Sequence, residues 1–166
     1  MIEDNLMLTG ASMIEDNRLL LFAAVVAMLL TAQMAHIYVK TYSKIMQTEI
    51  SVSFENVGFT GDKFLVSIVI SIRAGGAQIS PDKLQYYLYL NGKYLLQDLI
   101  EDIPPLEPWE EVSINRTLII PEERMFTIKE AMNIEKWNWR VSGSLFTQTI
   151  YGETLIRFWS SKTLAP

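Results

Sequence analysis

The chain has 166 residues, a formal net charge of −5 and no cysteine. Without cysteine it cannot form a disulfide, a thiolate zinc site or an iron–sulfur cluster. Residues 45–166 contain eleven cations and fifteen anions, so this part lacks the basic excess that binds nucleic acid or anionic lipid.

Residues 1–17 form a polar N-terminal tail. It contains four acids, and the pentapeptide Met-Ile-Glu-Asp-Asn occurs in it twice, at 1–5 and 13–17. Two copies of five residues are too short to build a repeat architecture. A local duplication or two alternative start sites would each explain them. We predict that this tail lies outside the membrane and has little fixed structure.

Residues 18–44 are predicted to form a transmembrane helix with a short juxtamembrane extension. The 21 residues 19–39 contain no Asp, Glu, Lys or Arg, and such a helix is about 31 Å long, enough to cross the hydrocarbon core of a bilayer. A signal peptide would have a basic start and a shorter apolar region. A buried helix of a soluble domain would need a helical bundle around it, and the remaining sequence predicts none.

Three polar side chains, Thr31, Gln33 and His36, lie in the second half of the predicted span. Polar residues at membrane depth favour packing against other helices over contact with lipid. We therefore expect contacts with other membrane-protein subunits there. His36 is the sole histidine of the sequence, and an interfacial histidine explains it better than a metal ligand or a proton relay.

Three features bear on the orientation of the chain in the membrane. Arg18 precedes the span, and Lys40 and Lys44 follow it, which favours a cytoplasmic C-terminal domain by the positive-inside rule. Asn115, in the triplet Asn-Arg-Thr, is a candidate glycosylation site and favours the opposite orientation. A short tail, one span and a folded domain is the common layout of outward-facing anchored proteins. We predict a single-pass protein of the cytoplasmic membrane with an extracytoplasmic C-terminal domain.

Residues 45–166 are predicted to form one β-rich domain, because the period of the apolar residues there changes to two. The predicted strands cover residues 49–55, 63–73, 84–90, 93–96, 111–120, 138–149 and 154–160. Asn91-Gly92 is the strongest hairpin signal, since a two-residue type I′ turn needs positive φ at both positions. Gly152 is predicted to mark the last turn.

The remaining segments of the domain are predicted to be turns, a loop and one helix. Residues 56–58 and 60–62 together are expected to turn the chain after the first strand. Residues 98–111 contain three prolines and six carboxylates and are expected to form a connecting loop. Residues 122–137 show helical spacing, with one apolar stripe formed by Met125, Ile128 and Met132.

Seven strands with closely spaced turns and one helix predict an all-β antiparallel sandwich of the immunoglobulin and fibronectin-III type. A small closed barrel is the alternative, because it has the same strand number and alternation.

Several short motifs of this domain follow the order found in one known family. They are ISVSFEN at 50–56, LYLNGKY at 88–94, VSI at 112–114, WRVSGSL at 139–145 and YG at 151–152. In this order the domain resembles the water-stress and hypersensitive-response (WHy) domain of the group-2, or atypical, late embryogenesis abundant (LEA) proteins. The family often has Asn-Pro where this chain has Asn56-Val57. The resemblance implies a fibronectin-III-like sandwich, an N-terminal membrane anchor in many members, a stress-protective role in soluble ones and no catalytic residues.

The sequence assigns no catalytic, cofactor-binding or metal-binding residue. The domain contains neither His nor Cys, which excludes Ser-His-Asp and Cys-His arrangements, and no glycine-rich phosphate-binding pattern occurs. The six carboxylates of residues 98–111 could bind calcium, but their spacing matches no calcium loop and prolines interrupt it. We therefore expect a solvated acidic loop, and no pair of carboxylates stands out for glycoside hydrolysis.

The four tryptophans could form an exposed platform for a ligand or a partner. They are Trp109, Trp137, Trp139 and Trp159. Alternation along a strand places Trp137 and Trp139 on one face, and we expect at least two of the four rings in the core.

Taken together, the sequence predicts a non-enzymatic single-pass membrane protein whose sandwich makes protein–protein contacts. It would be an accessory subunit of a membrane or envelope complex. Its expected partners are the lipid bilayer and other membrane-protein subunits, with no nucleic acid and no cofactor. One alternative is a stress-protective WHy-type module. Another is a pilin-like filament subunit with a helical core and an outer sandwich, which would require cleavage before the apolar run, where Arg18-Leu19 is a poor processing site.

Overall fold

The computed structural model describes residues 3–133, 137–149 and 152–164. Tyr151, part of the last motif shared with the WHy domain, lies outside these residues. The chain forms two compact units, an N-terminal one ending at Ser43 and a C-terminal one beginning at Lys44.

The N-terminal unit is formed by helix α1 (Glu3–Ile45), whose last two residues, Lys44 and Ile45, belong to the C-terminal unit. Its segment Asn17–Ile45 is long and apolar enough to span a membrane, with a mean hydropathy of 2.0 and no buried residue in the apolar window. This segment contains the whole predicted span, residues 19–39. The helix begins at Glu3, so the expectation of little fixed structure in the tail is wrong for the backbone of residues 3–17. The helix of the apolar run continues into this segment, because extending an existing helix adds a hydrogen bond for each further residue.

In its described residues, the C-terminal unit contains seven strands, one 3₁₀ turn (Glu122–Arg124) and one short helix. The elements are β1 (Glu49–Thr60), β2 (Lys63–Arg73), β3 (Ser80–Leu90), β4 (Lys93–Glu101), β5 (Glu111–Ile119), α2 (Met125–Met132), β6 (Trp137–Thr149) and β7 (Gly152–Leu164).

The strands form two separate antiparallel sheets. One has three strands in the order β1-β2-β5, and the other has four in the order β4-β3-β6-β7. In a constant-type immunoglobulin domain the fourth strand joins the sheet of the first, whereas here β4 pairs with β3. The predicted all-β antiparallel sandwich is confirmed, and the closed barrel is not found.

The inner faces of the two sheets form the core. Strand β2 alternates strictly, because its even-numbered residues from Phe64 to Ile72 are buried and its odd-numbered residues face outward. The Phe64 ring lies parallel to Trp139 at 6.3 Å between centroids and contacts Trp137 at 5.9 Å. Trp137 and Trp139 are therefore core residues, as predicted for two of the four tryptophans.

The first predicted turn is partly wrong. Residues 56–58 continue β1, because a bulge between Phe54 and Asn56 absorbs one extra residue and the ladder with β2 then resumes up to Thr60. Such a bulge is tolerated here since β1 is an edge strand. The chain turns only at 60–62, where Gly61 has a positive φ of 60°. The Asn91-Gly92 hairpin is confirmed, with φ angles of 50° and 79°.

The predicted loop 98–111 is shorter than expected. Strand β4 continues through Asp98 to Glu101, and the loop proper covers residues 102–110. Asp98 lies directly opposite Tyr86 on β3, and tertiary contacts described below satisfy its carboxylate. These contacts outweigh the low strand propensity of aspartate.

The predicted helix 122–137 is also shorter. Helix α2 ends at Met132, and Trp137 instead begins β6, with residues 134–136 outside the described part. The indole N–H of Trp137 donates to the carbonyl of Ala131 at 3.0 Å. Ile128 and Ala131 are buried while Met132 is exposed, so the predicted stripe faces the core only in part.

Candidate functional site

The polar residues of the predicted span occupy two faces of α1. Gln33 and His36 are three positions apart, so they lie about 60° apart around the helix, whereas Thr31 lies about 160° from Gln33. The Thr31 hydroxyl donates to the carbonyl of Ala27 at 2.8 Å within the helix. Gln33 and His36 therefore form the shared polar face of this helix.

Small side chains recur along the same helix at intervals of four. Ala23, Ala27, Thr31 and Ala35 form a continuous stripe, and all four are exposed. This spacing lets the backbones of two membrane helices approach closely. The interval of four residues that defines this stripe is visible in the sequence itself.

Asn115 lies on the outer face of β5, an edge strand of the three-stranded sheet, and is exposed. It pairs with Val69 on β2. The hydroxyl of Thr117, two residues on, shares a hydrogen bond of 3.3 Å with Ser67. The asparagine of the candidate glycosylation site is thus accessible on the folded domain.

The six carboxylates of residues 98–111 are dispersed. The amide of Gln78 donates to Glu107 at 3.1 Å, and the carboxylate of Glu110 accepts the backbone N–H of Glu107 at 2.8 Å. Within the described ranges, no three His, Cys, Asp or Glu side chains come together in a group that could hold a metal ion. The structure gives the calcium alternative no support.

A polar cluster joins the two sheets on the side where β4 and β5 approach each other. The Tyr86 hydroxyl donates to Oδ2 of Asp98 at 2.7 Å, and Nε and Nη2 of Arg116 donate to the same oxygen at 3.2 and 3.1 Å. Burial raises the pKa of the Tyr86 hydroxyl, and its hydrogen bond to Asp98 raises that pKa further. The phenol therefore remains protonated.

This Tyr86–Asp98–Arg116 cluster lies beside a shallow depression of about 430 Å³. Both of its charges are already paired inside the domain, so the cluster offers a ligand little unsatisfied charge. Its hydrogen bonds link the two sheets to each other. Sequence reasoning missed it because its members come from three strands of two sheets.

The opposite side of the sandwich is closed by side chains of β7. The Ser160 hydroxyl donates to the carbonyl of Val52 at 3.2 Å, and the Lys162 ammonium donates to the carbonyl of Phe54 at 3.4 Å. These contacts cover part of the edge of β1, where unpaired carbonyl groups could otherwise pair with another chain. The edge of β1 is therefore a poorer candidate for partner binding than the faces of the sheets.

The outer face of the four-stranded sheet exposes a group of aromatic rings. We term it the aromatic face, formed by Tyr87, Tyr89, Tyr94 and Trp159. The ring of Tyr94 contacts those of Tyr87 and Tyr89 at 6.5 and 6.0 Å between centroids. Trp159 is 70 % exposed and Tyr94 is 38 % exposed. This face is the strongest candidate for an interaction surface on the domain.

The strand register forms a groove in the aromatic face. Ser142 on β6 pairs with Tyr87 on one side and with Trp159 on the other. Because neighbouring strands are about 4.8 Å apart, the backbones of these two aromatic residues are about 10 Å apart, with only a serine between them. The exposed cation Arg140 helps line a depression of about 440 Å³ beside Trp159.

The four tryptophans are divided between the core and the surface. Trp137 and Trp139 are buried, Trp159 belongs to the aromatic face, and Trp109 is 59 % exposed in the loop 102–110. The predicted platform is thus reduced to Trp159 and its tyrosine neighbours. Those tyrosines could have been identified from their outward positions in strands β3 and β4.

No protein family matches the sequence, and no curated protein matches it either. Solved structures match the fold. A late embryogenesis abundant protein is 14 % identical with a TM-score of 0.55, covering 87 % of this chain and 84 % of that one. A protein from Arabidopsis thaliana is 13 % identical with a TM-score of 0.53 over 70 % and 78 % of the two chains.

A protein from Archaeoglobus fulgidus is 12 % identical with a TM-score of 0.50, covering 71 % of this chain and 95 % of that one. At these identities the likeness shows the fold alone. The expected resemblance to LEA-type domains is therefore supported at the level of the fold.

Proposed function

We propose that this chain is a non-enzymatic, single-pass membrane protein whose sandwich binds other proteins as an accessory subunit of a membrane or envelope complex. The observation that carries the proposal is the aromatic face, where Trp159 is 70 % exposed. Tyrosine, tryptophan and arginine are enriched at protein interfaces and dominate their binding energy. Arg140 lies beside Trp159 in the same depression.

Helix α1 supports the same proposal from the membrane side. Its apolar window is fully exposed, and Gln33 and His36 form a polar face whose burial against another helix is more favourable than contact with lipid. The stripe of small side chains permits close packing of such a helix. A partner with its own membrane helix would engage both units of the chain.

We further propose that the protein lies in the cytoplasmic membrane with its C-terminal domain outside. The bilayer and other membrane-protein subunits are its partners in this proposal, and neither nucleic acid nor a cofactor is involved. The exposed position of Asn115 on β5 is compatible with this orientation.

Site-specific photocrosslinking in native membranes tests the proposed interface. A photoreactive amino acid replaces Trp159 in one variant and Ser53, exposed on the outer face of the other sheet, in a matched control. We expect a discrete protein adduct from position 159 that persists through purification in mild detergent, and none from position 53. A chain that purifies alone, without an adduct from position 159, would contradict the proposal.

A stress-protective module is the second candidate, favoured by the fold shared with a late embryogenesis abundant protein. Protection of this kind would depend on the folded domain as a whole and not on one binding surface. Cells that lack the protein should then survive drying less well. The Trp159→Ser variant should restore their survival as fully as the unaltered chain does. An accessory subunit would instead lose its partner in the Trp159→Ser variant.

A further inference from the structure

Trp109 has a backbone conformation that large side chains rarely adopt. The N–H of Glu110 donates to the carbonyl of Glu107 at 3.0 Å, closing a four-residue turn around Pro108 and Trp109. Trp109 has a φ of 69°. Proline at the second position and positive φ at the third define a type II turn, whose third position is normally glycine or asparagine.

The strain of this turn is not offset by burial of the ring in the core. A left-handed conformation is unfavourable for a non-glycine residue, yet the Trp109 side chain is 59 % exposed. The turn is nevertheless firmly held, because the N–H of Trp109 donates to the carbonyl of Gly75 at 3.1 Å. Strained residues of this kind that are kept at a surface often have a function.

The turn lies beside the point where the chain enters the C-terminal unit. A Cβ atom on Gly76 would be 3.3 Å from Cζ2 of Trp109 and 3.3 Å from Cγ of Lys44, and a Cβ on Gly75 would overlap the carbonyl of Lys44. The pair of glycines thus allows Trp109 and Lys44 to approach the same short segment. Glycine-to-alanine changes there would separate them.

Lys44 is close in sequence to the apolar run of the helix. It follows Val39, the last residue of that run, by five positions, which corresponds to about 8 Å along an α-helix. The headgroup region of a bilayer extends about 5–8 Å beyond the hydrocarbon core on each side. Residues next to Lys44 are therefore at the depth of the headgroups when α1 spans a membrane.

We propose that Trp109 is a membrane-interface anchor, whose indole inserts into the headgroup region of a zwitterionic bilayer. The inference rests on the proposed insertion of α1 in the membrane. Indole rings favour this region because they combine an apolar body with an N–H donor. The neighbouring carboxylates of Glu107, Glu110 and Glu111 outnumber the nearby cation of Lys44 and disfavour anionic lipids, so the partner is a phosphatidylcholine-type surface.

Fluorescence quenching by lipids tests the anchor on the full chain. The protein is reconstituted into phosphatidylcholine vesicles that carry a quencher at the top of the acyl chains. Trp109→Phe and the matched control Trp159→Phe are measured beside the unaltered chain. Since the chain has four tryptophans, we expect about a quarter of the emission to be quenched in the unaltered chain. In Trp159→Phe, which keeps three tryptophans, we expect about a third to be quenched, and in Trp109→Phe almost none.

Washing the vesicles with alkaline carbonate separates the two proposals. If the chain resists the wash but Trp109 is quenched only by a water-soluble quencher, the anchor is refuted and the membrane span stands. If the wash removes the chain, the membrane span is refuted and the anchor with it. Replacing half of the lipid with phosphatidylserine should reduce the quenching of Trp109, and an increase would contradict the assigned lipid class.

Discussion

Arg116 of β5 binds Asp98 of β4 across the gap between the two sheets, with its Nε and Nη2 atoms 3.2 and 3.1 Å from one carboxylate oxygen. Both residues lie at inward-facing positions of their strands, among apolar neighbours. The Tyr86 hydroxyl completes the cluster from β3. A sandwich with two independent sheets thus gains a specific polar link along one open side.

Removing the carboxylate should destabilise the domain. In Asp98→Ala, the guanidinium of Arg116 and the hydroxyl of Tyr86 lose their shared acceptor. We therefore expect the free energy of unfolding, measured in urea, to fall by about 2 kcal/mol. The cost is moderate because the Arg116 side chain is 40 % exposed to water. Glu153→Ala, an exposed acid on β7, is the control and should change stability by less than about 0.5 kcal/mol. Equal effects of the two changes would show that this cluster does not stabilise the packing of the two sheets.

The raised pKa of Tyr86 predicts a loss of stability in alkali. Above pH 10, the ordinary pKa of tyrosine, the unfolded chain releases the phenol proton while the folded chain keeps it. The free energy of unfolding should therefore fall by up to about 1.4 kcal/mol per pH unit above pH 10 and be insensitive to this group below that value. Titration of stability from pH 8 to 11.5 should show a shallower fall in Tyr86→Phe than in the unaltered chain. Identical slopes of stability against pH in the two proteins would contradict the assignment of this loss to Tyr86.

Gly143 on β6 is predicted to be intolerant of any side chain. A Cβ atom there would overlap the carbonyl of Gln85 and lie 2.8 Å from the Phe158 ring, so Gly143→Ala should cost about 2–3 kcal/mol through overpacking. Gly58→Ala is the matched control, because nothing lies within 4 Å of its added Cβ. Chemical denaturation should show this control to be neutral or slightly stabilising. Similar midpoints for both variants would show that β6 and β7 pack less tightly than described.

The turn at Trp109 should become more stable with glycine. Trp109→Gly removes the cost of positive φ and should raise the free energy of unfolding by about 1 kcal/mol. Trp159→Gly, in the regular strand β7, should lower it by a similar amount because glycine weakens strands. Thermal unfolding of both variants in detergent provides the comparison. A loss of stability in Trp109→Gly would mean that the ring stabilises the domain by packing.

Glycosylation of Asn115 reports the orientation of the chain in the membrane. If the C-terminal domain crosses into the lumen during synthesis in the presence of microsomes, the exposed asparagine should receive one glycan. Gel electrophoresis should then show one heavier band that Asn115→Gln and glycosidase both abolish. Protection of the domain from added protease should accompany it. A protease-sensitive, unmodified domain would place the C-terminal unit on the cytoplasmic side.

The sequence alone was sufficient to predict the elements whose conformation is determined by neighbouring residues. The apolar run 19–39 predicted the helix, strand β2 was predicted from Lys63 to Arg73 without error, and Asn91-Gly92 identified the hairpin between β3 and β4. Alternation and turn residues also predicted seven strands in a sandwich. In each case neighbouring residues determine the conformation, because the period of burial repeats within a few positions.

Only the tertiary structure decided which distant residues meet. Asp98 was expected in a loop, yet it extends β4 because Tyr86 and Arg116 satisfy its carboxylate from two other strands. Trp109 and Trp159 could not be separated from the core tryptophans until strand register and loop path were known. Such contacts arise between residues far apart in the chain, whose approach depends on how the sheets pack and not on the composition of either segment.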